Sequence, residues 1–193
     1  MTKNGDCYTM IRVLPLALVV ALAAPLTAAE PLAPGTPVGK RPGPYSFLVA
    51  TGPQRGKQTC YICEQHDADR AGMVVFARTT SPALGKLLAQ LDAAALAKKD
   101  TNCKAWMTLL AEKADLDALA QWAQKEGLKA LPVGAFEDAD GPPSYKLHKD
   151  ADVTVILFTK QKATATFAFR AGELDAAVTA RVLKAVGELF DTK

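Results

Sequence analysis

The chain has 193 residues, 23 basic against 20 acidic side chains, a formal charge of +3 and four cysteines. A balance this close to neutral leaves no basic footprint for nucleic acid or for an anionic membrane surface. The length suits one domain with a core of its own, once a targeting segment at the start is set aside.

That segment comes first in chain order. Lys3 and Arg12 mark a charged opening, an apolar run extends from Val13 to Ala24, and the small residues Thr27, Ala28 and Ala29 precede Glu30. A charged start, an apolar middle and a small-residue exit describe a secretory signal peptide, with cleavage expected after Ala29. The alternative, an uncleaved anchor, is disfavoured because the run is short and broken by Pro15 and Pro25. The expected organisation is a signal peptide at 1–29, a Pro/Gly-rich leader at 30–44 and a folded domain at 45–193. The expected location is extracytoplasmic, either periplasmic or secreted. Cleavage removes Cys7 together with Lys3, Asp6 and Arg12, so the charge falls from +3 to +2. No later segment is apolar enough to span a bilayer, so no membrane contact is expected after cleavage.

The leader holds Pro31, Pro34, Pro37, Pro42 and Pro44 among three glycines, and such a stretch makes neither a helix nor a sheet ladder. It reads as flexible or extended. A first strand is expected at Tyr45 to Ala50, followed by a long polar loop from Thr51 to Gly72. Met73 to Ala77 is a continuous apolar run, as in a strand buried on both faces. Ser81 and Pro82 form a helix start, with Ser as cap and Pro in the first turn. Leu84, Leu87, Leu88, Leu91 and Ala95 then share one helical face, with Lys98 and Lys99 at its end. Trp106 to Ala111 reads as a second buried strand. Asp115 caps a second helix with the stripe Leu116, Leu119, Ala120 and Ala123, stopped by Gly127. A short apolar piece at Leu131 to Phe136 and a turn-rich stretch at Glu137 to Ser144 follow. Val153 to Phe158 and Ala163 to Phe169 read as a hairpin. A last helix carries Leu174, Val178, Val182, Ala185 and Leu189 on one face.

This order, with Tyr145-Lys146-Leu147 before the hairpin and Gly172-Glu173-Leu174-Asp175 before the last helix, resembles the thioredoxin-like superfamily. Within it, the chain is most similar to exported redoxin or peroxiredoxin-type domains, over roughly Tyr45 to Phe190. The resemblance implies an α/β three-layer fold, a mixed central sheet flanked by helices on both faces. It also implies a reactive cysteine after the first core strand, where this chain reads Arg78-Thr79-Thr80-Ser81-Pro82. A proline is implied before Val153, where this chain has Ala151-Asp152. Both standard features are missing.

What the chain offers instead is Cys60-Tyr61-Ile62-Cys63, placed before the core strand. Three readings of Cys60 and Cys63 are open. As a catalytic redox pair, one thiolate attacks a partner disulfide and the other resolves the mixed disulfide. Cys60 is then the expected nucleophile, with Arg55 and Lys57 lowering a thiol pKa and Glu64 opposing them. As a structural disulfide, the pair stiffens a loop, though it closes too few residues to gain much from chain entropy. As a metal half-site, Cys60 and Cys63 join His66, with Cys103 or Asp67 as a fourth ligand. The c-type haem pattern needs His where Glu64 stands. Cys103 is expected to be a half-buried free thiol, and His66 and His148 surface residues. Glu137 to Gly141 lacks the ligand ladder of a calcium loop. Trp106 and Trp122 are expected in the core. Thr79 and Thr80 could hold a small ligand, whereas capping alone explains Ser81. The leading expectation is thiol–disulfide exchange with thiols or disulfides of exported proteins, with no cofactor and no resident metal. The alternatives are a binding or scaffold domain with a structural disulfide, or a metal module.

Overall fold

The computed structural model describes Met1 and residues 30–191. The signal-peptide assignment therefore lies outside the described residues, apart from Met1. Seven strands and four helices follow in chain order: β1 (Phe47–Val49), β2 (Gln58–Thr59), α1 (Tyr61–Asp67), β3 (Gly72–Ala77), α2 (Pro82–Ala97), β4 (Lys104–Leu110), α3 (Leu116–Lys125), β5 (Val133–Phe136), β6 (Val153–Thr159), β7 (Lys162–Phe169) and α4 (Ala176–Asp191). They build one mixed sheet in the order β2-β1-β5-β4-β3-β6-β7. β3 is parallel to β4 and β4 to β5, while β6 is antiparallel to both β3 and β7. The interior place of β3, between β4 and β6, explains why all six of its residues are buried and its sequence does not alternate.

Successive residues along these strands point to opposite faces, and they sort into two cores. Met73, Val75, Ala105, Met107, Val155 and Leu157 face the core covered by α2, α3 and α4. The crossovers β3-α2-β4 and β4-α3-β5 step the same way along the sheet, so one handedness places both helices on the same face. Val74, Phe76, Trp106, Ile156 and Phe158 face the other core. There the α-helix contributing among the described residues is the short α1, and Tyr45 and Tyr145, the latter from a 3-10 turn at Pro143–Tyr145, complete the layer.

Local signals act as their chemistry requires. The Ser81 hydroxyl accepts from the Leu84 N–H at 3.1 Å and Pro82 opens α2. Gly127, at φ +75°, lets the Leu128 N–H reach the Ala123 carbonyl and close α3. The two-residue turn Lys160-Gln161, with φ of +48° and +61°, joins β6 to β7 as the hairpin requires.

Two expectations are corrected. The stretch from Thr51 to Gly72 is not one long loop: it contains β2, which pairs antiparallel with β1, and α1, which begins one residue after Cys60. The leader has no regular element but is held against the domain. The Gly39 N–H donates to the Ala163 carbonyl at 2.7 Å, and the Ala163 N–H donates to the Lys40 carbonyl at 2.9 Å. The Tyr145 hydroxyl donates to the Gly43 carbonyl at 2.7 Å, and Thr36 is buried.

A buried carboxylate fixes the approach to β5. Asp92 on α2 accepts from the backbone N–H groups of Lys129 and Ala130 at 2.5 and 3.1 Å. Asp92→Ala strands both donors, and about 2 kcal/mol of stability should be lost in urea unfolding. A loss under about 0.5 kcal/mol would mean that water replaces the carboxylate.

Candidate functional site

Cys60 and Cys63 are joined by a disulfide, with 5.3 Å between their Cα atoms. Cys60 is the cap of α1, and its Sγ accepts from the Cys63 backbone N–H at 3.3 Å. The pair therefore sits at the head of a helix and not on an open loop. Both cysteines are half-buried and pack against the aromatic core. Tyr61 and Ile62, between them, point into that core and anchor the turn. Tyr61 meets Phe47 and Trp106 edge-on at 5.4 and 5.8 Å. Burial, with Glu64 adding to it, raises the Tyr61 hydroxyl to about 12.

The charges around the pair differ from those expected. Arg55 pairs with Asp117 at the start of α3, so its charge is committed there. Glu64 is matched by Lys104, whose Nζ lies 2.8 Å from its carboxylate and 3.9 Å from the centre of the Tyr61 ring.

His66 is not a surface residue. It is buried, its ring packs edge-on to Phe158 at 5.3 Å, and its Nδ1 accepts from Arg41 Nε at 3.2 Å. That bond makes the ring neutral, with its proton on Nε2, which is buried with no hydrogen-bond partner. Gly72 makes room for this packing, because a Cβ there would stand 2.2 Å from the Phe158 ring. Burial, followed by the charge of Arg41, lowers the His66 pKa. The unfolded chain then binds a proton near pH 6.5 that the folded chain refuses. Stability should fall as the pH drops through 6.5, by at most about 1.4 kcal/mol per pH unit. His66→Gln should remove that slope between pH 7 and 5 in urea titrations; an unchanged slope would place its origin elsewhere.

The other candidates separate from the pair. Cys103 is a buried free thiol in the core on the opposite face of the sheet, and burial raises its pKa to about 12. Among the described residues, no three His, Cys, Asp or Glu side chains come together to hold a metal, so His66, Asp67 and Cys103 do not complete a site with the cysteine pair. No helix of the described residues is long and apolar enough to cross a membrane.

At the end of β3, the segment Arg78 to Pro82 is occupied by structural bonds. Arg78 donates from its guanidinium to the carbonyls of Ala151 at 2.9 Å, His148 at 3.5 Å and Ala139. The Thr79 hydroxyl donates to Asp152 at 2.8 Å. Arg78 thus ties together the loops that border this end of the sheet. The sequence signal for it was weak, since an arginine among threonines reads as an exposed charge. Arg41 and His66 were missed for a similar reason: the contact between them spans 25 residues.

No protein-family model matches the chain, and no curated protein sequence matches it. Solved structures do match. A protein from Bacteroides thetaiotaomicron assigned as a disulfide isomerase aligns over 81% of this chain and 95% of its own, at 16% identity and a TM-score of 0.55. A protein from Chlorobium tepidum assigned as the thiol:disulfide interchange protein DsbE aligns over 79% and 99%, at 15% identity and a TM-score of 0.55. A peroxiredoxin-like protein from Aquifex aeolicus aligns over 81% and 90%, at 11% identity and a TM-score of 0.52. At these identities the likeness speaks for architecture, and it agrees with the sheet order and crossovers described above. The chain has a thioredoxin-like fold, with its cysteine pair at the head of the helix before β3.

Proposed function

We propose that the protein carries out thiol–disulfide exchange through Cys60 and Cys63, acting on thiols or disulfides of exported partner proteins. The observation that carries this reading is the bond from the Cys63 N–H to the Cys60 sulfur. On reduction, the same N–H is placed to stabilise a Cys60 thiolate, because a hydrogen bond to the charged form lowers its pKa. Cys60 then attacks a partner disulfide, and Cys63 displaces the partner from the mixed disulfide. The fold and the names of its structural neighbours support the same chemistry. The charged, apolar and small-residue pattern of residues 1–29 supports an extracytoplasmic setting.

A second reading has an observation of its own. Both cysteines are half-buried against the aromatic core, as a structural staple would be. The reduction potential separates the two. Thiol-trapping mass spectrometry across a glutathione series should find a reversible couple between about −120 and −270 mV. A bond that stays oxidised below about −300 mV makes the pair a staple and the domain a binding module.

A further inference from the structure

The disulfide borders a cavity of about 360 Å³ formed by Arg41, Pro42, Gly43, Pro44, Cys63, His66 and Asp67. One wall is the leader and the other is the exposed end of α1. Cys63, and not Cys60, contributes to it. We propose that this cavity binds a small thiol bearing an α-amino-acid group, of the class of cysteine and glutathione, and presents it to the Cys63 sulfur. The proposal rests on the redox reading of the pair and names the reductant class for it.

The volume lies near the lower end of small-ligand cavities, roughly 300–1,000 Å³. That volume admits an amino acid or a tripeptide. The wall is preorganised. Prolines fix the leader on both sides of Gly43, and the Gly43 carbonyl is held by the Tyr145 hydroxyl. Arg41 uses Nε to reach His66 Nδ1, which aims the guanidinium and leaves its two terminal nitrogens for a carboxylate. Asp67 supplies the opposite charge for an ammonium group. A ligand with only one of these charges meets one partner and one like charge. His66, buried with Nε2 unpartnered, adds a neutral polar group beneath the site.

The chemistry balances in two displacements. A small thiolate attacks the Cys63 sulfur, the Cys60–Cys63 bond breaks, and the electron pair leaves on Cys60 as a thiolate beside the Cys63 N–H. A second small thiolate then attacks the bound one and releases a small-molecule disulfide and the Cys63 thiolate. Two small thiols are oxidised, the protein disulfide is reduced, and two protons pass to solvent or to the cysteines. The two sulfurs thereby divide the work: Cys60 meets proteins and Cys63 meets the reductant.

The test measures reduction of the purified protein by four probes: glutathione, cysteine, 3-mercaptopropionate, which has no ammonium, and cysteamine, which has no carboxylate. Rates are expressed per thiolate. Glutathione and cysteine should each be faster than the two single-charge probes by about tenfold, the worth of one well-placed charged contact. Arg41→Gln and Asp67→Asn should each abolish that advantage. Treated with glutathione disulfide, Cys60→Ser should form the mixed disulfide on Cys63, with release of one glutathione, faster per thiolate than Cys63→Ser forms it on Cys60, as read by digestion and mass spectrometry. Preference for glutathione or for cysteine identifies which member of the class fits better, and either supports the site. Equal rates per thiolate, or faster adduct formation at Cys60, overturn the proposal while leaving the redox reading intact. A pair that none of the four probes reduces overturns both.

Discussion

Trp106→Ala should lower the unfolding free energy by about 3–5 kcal/mol, the range for removing a large aromatic from a packed core. Three features put it at the upper end. Trp106 has no solvent exposure. Its ring meets Tyr61 and Phe158 edge-on at 5.8 and 6.1 Å, so its loss opens a cavity at the centre of one face. Its Nε1–H also donates to the Tyr45 hydroxyl at 2.8 Å, and that hydroxyl lies 2.8 Å from Thr108. Removing the indole leaves a buried hydroxyl with half of its partners, and burial already drives the Tyr45 pKa upward. Urea unfolding of the oxidised protein measures the effect. Tyr45→Phe isolates the polar part and should cost about 1–2 kcal/mol. A Trp106→Ala loss below about 2 kcal/mol would mean that the face closes over the gap. Because Tyr61 rests on Trp106, the same variant should also loosen the turn that carries the cysteine pair.

Replacing both Cys60 and Cys63 by Ser should reduce insulin-disulfide reduction by about a hundredfold or more, to the buffer rate, since the two sulfurs act as one unit. Stability should change by about 2 kcal/mol or less, because the bridge closes so short a loop. Cys103 cannot substitute. It lies in the opposite core, and with its pKa at about 12 it holds almost no thiolate at neutral pH. Unchanged turnover in the double variant would defeat the exchange reading outright. A large stability loss with no activity in the parent protein would favour the staple.

Much of the fold was legible because its signals are local. The unbroken apolar run at β3 announced a strand buried on both faces. Ser81-Pro82 announced the start of α2, and Asp115 and Gly127 bounded α3. The pairing of β6 with β7 followed from a short polar link between two apolar runs. What escaped was set by contacts distant in sequence. α1 has seven residues, too few for periodicity to show, and its helical form depends on Tyr61 and Ile62 docking into the aromatic core. His66 looked like a surface residue because its burial comes from Phe158 and Arg41, neither of which is near it in the chain. The cysteine pair itself was found by its spacing, but its place at the head of a helix was not, and that place supplies the hydrogen bond on which its chemistry turns.

The stitching of the leader to β7 has a consequence for the order of folding. Gly39 and Lys40 bond to Ala163, about 120 residues further along, and the interior strand β3 waits for β6 from about 80 residues down the chain. Contacts of such long range are slow to form, because the loop must be closed before any bond rewards it. A growing chain that has emerged only as far as β5 holds the parallel strands β3, β4 and β5 but lacks both the hairpin that flanks β3 and the anchor of the leader. The aromatic core, and with it the seat of the cysteine pair, can close only when the C-terminal half is present. The pair should therefore acquire its final environment late, after synthesis of the whole domain.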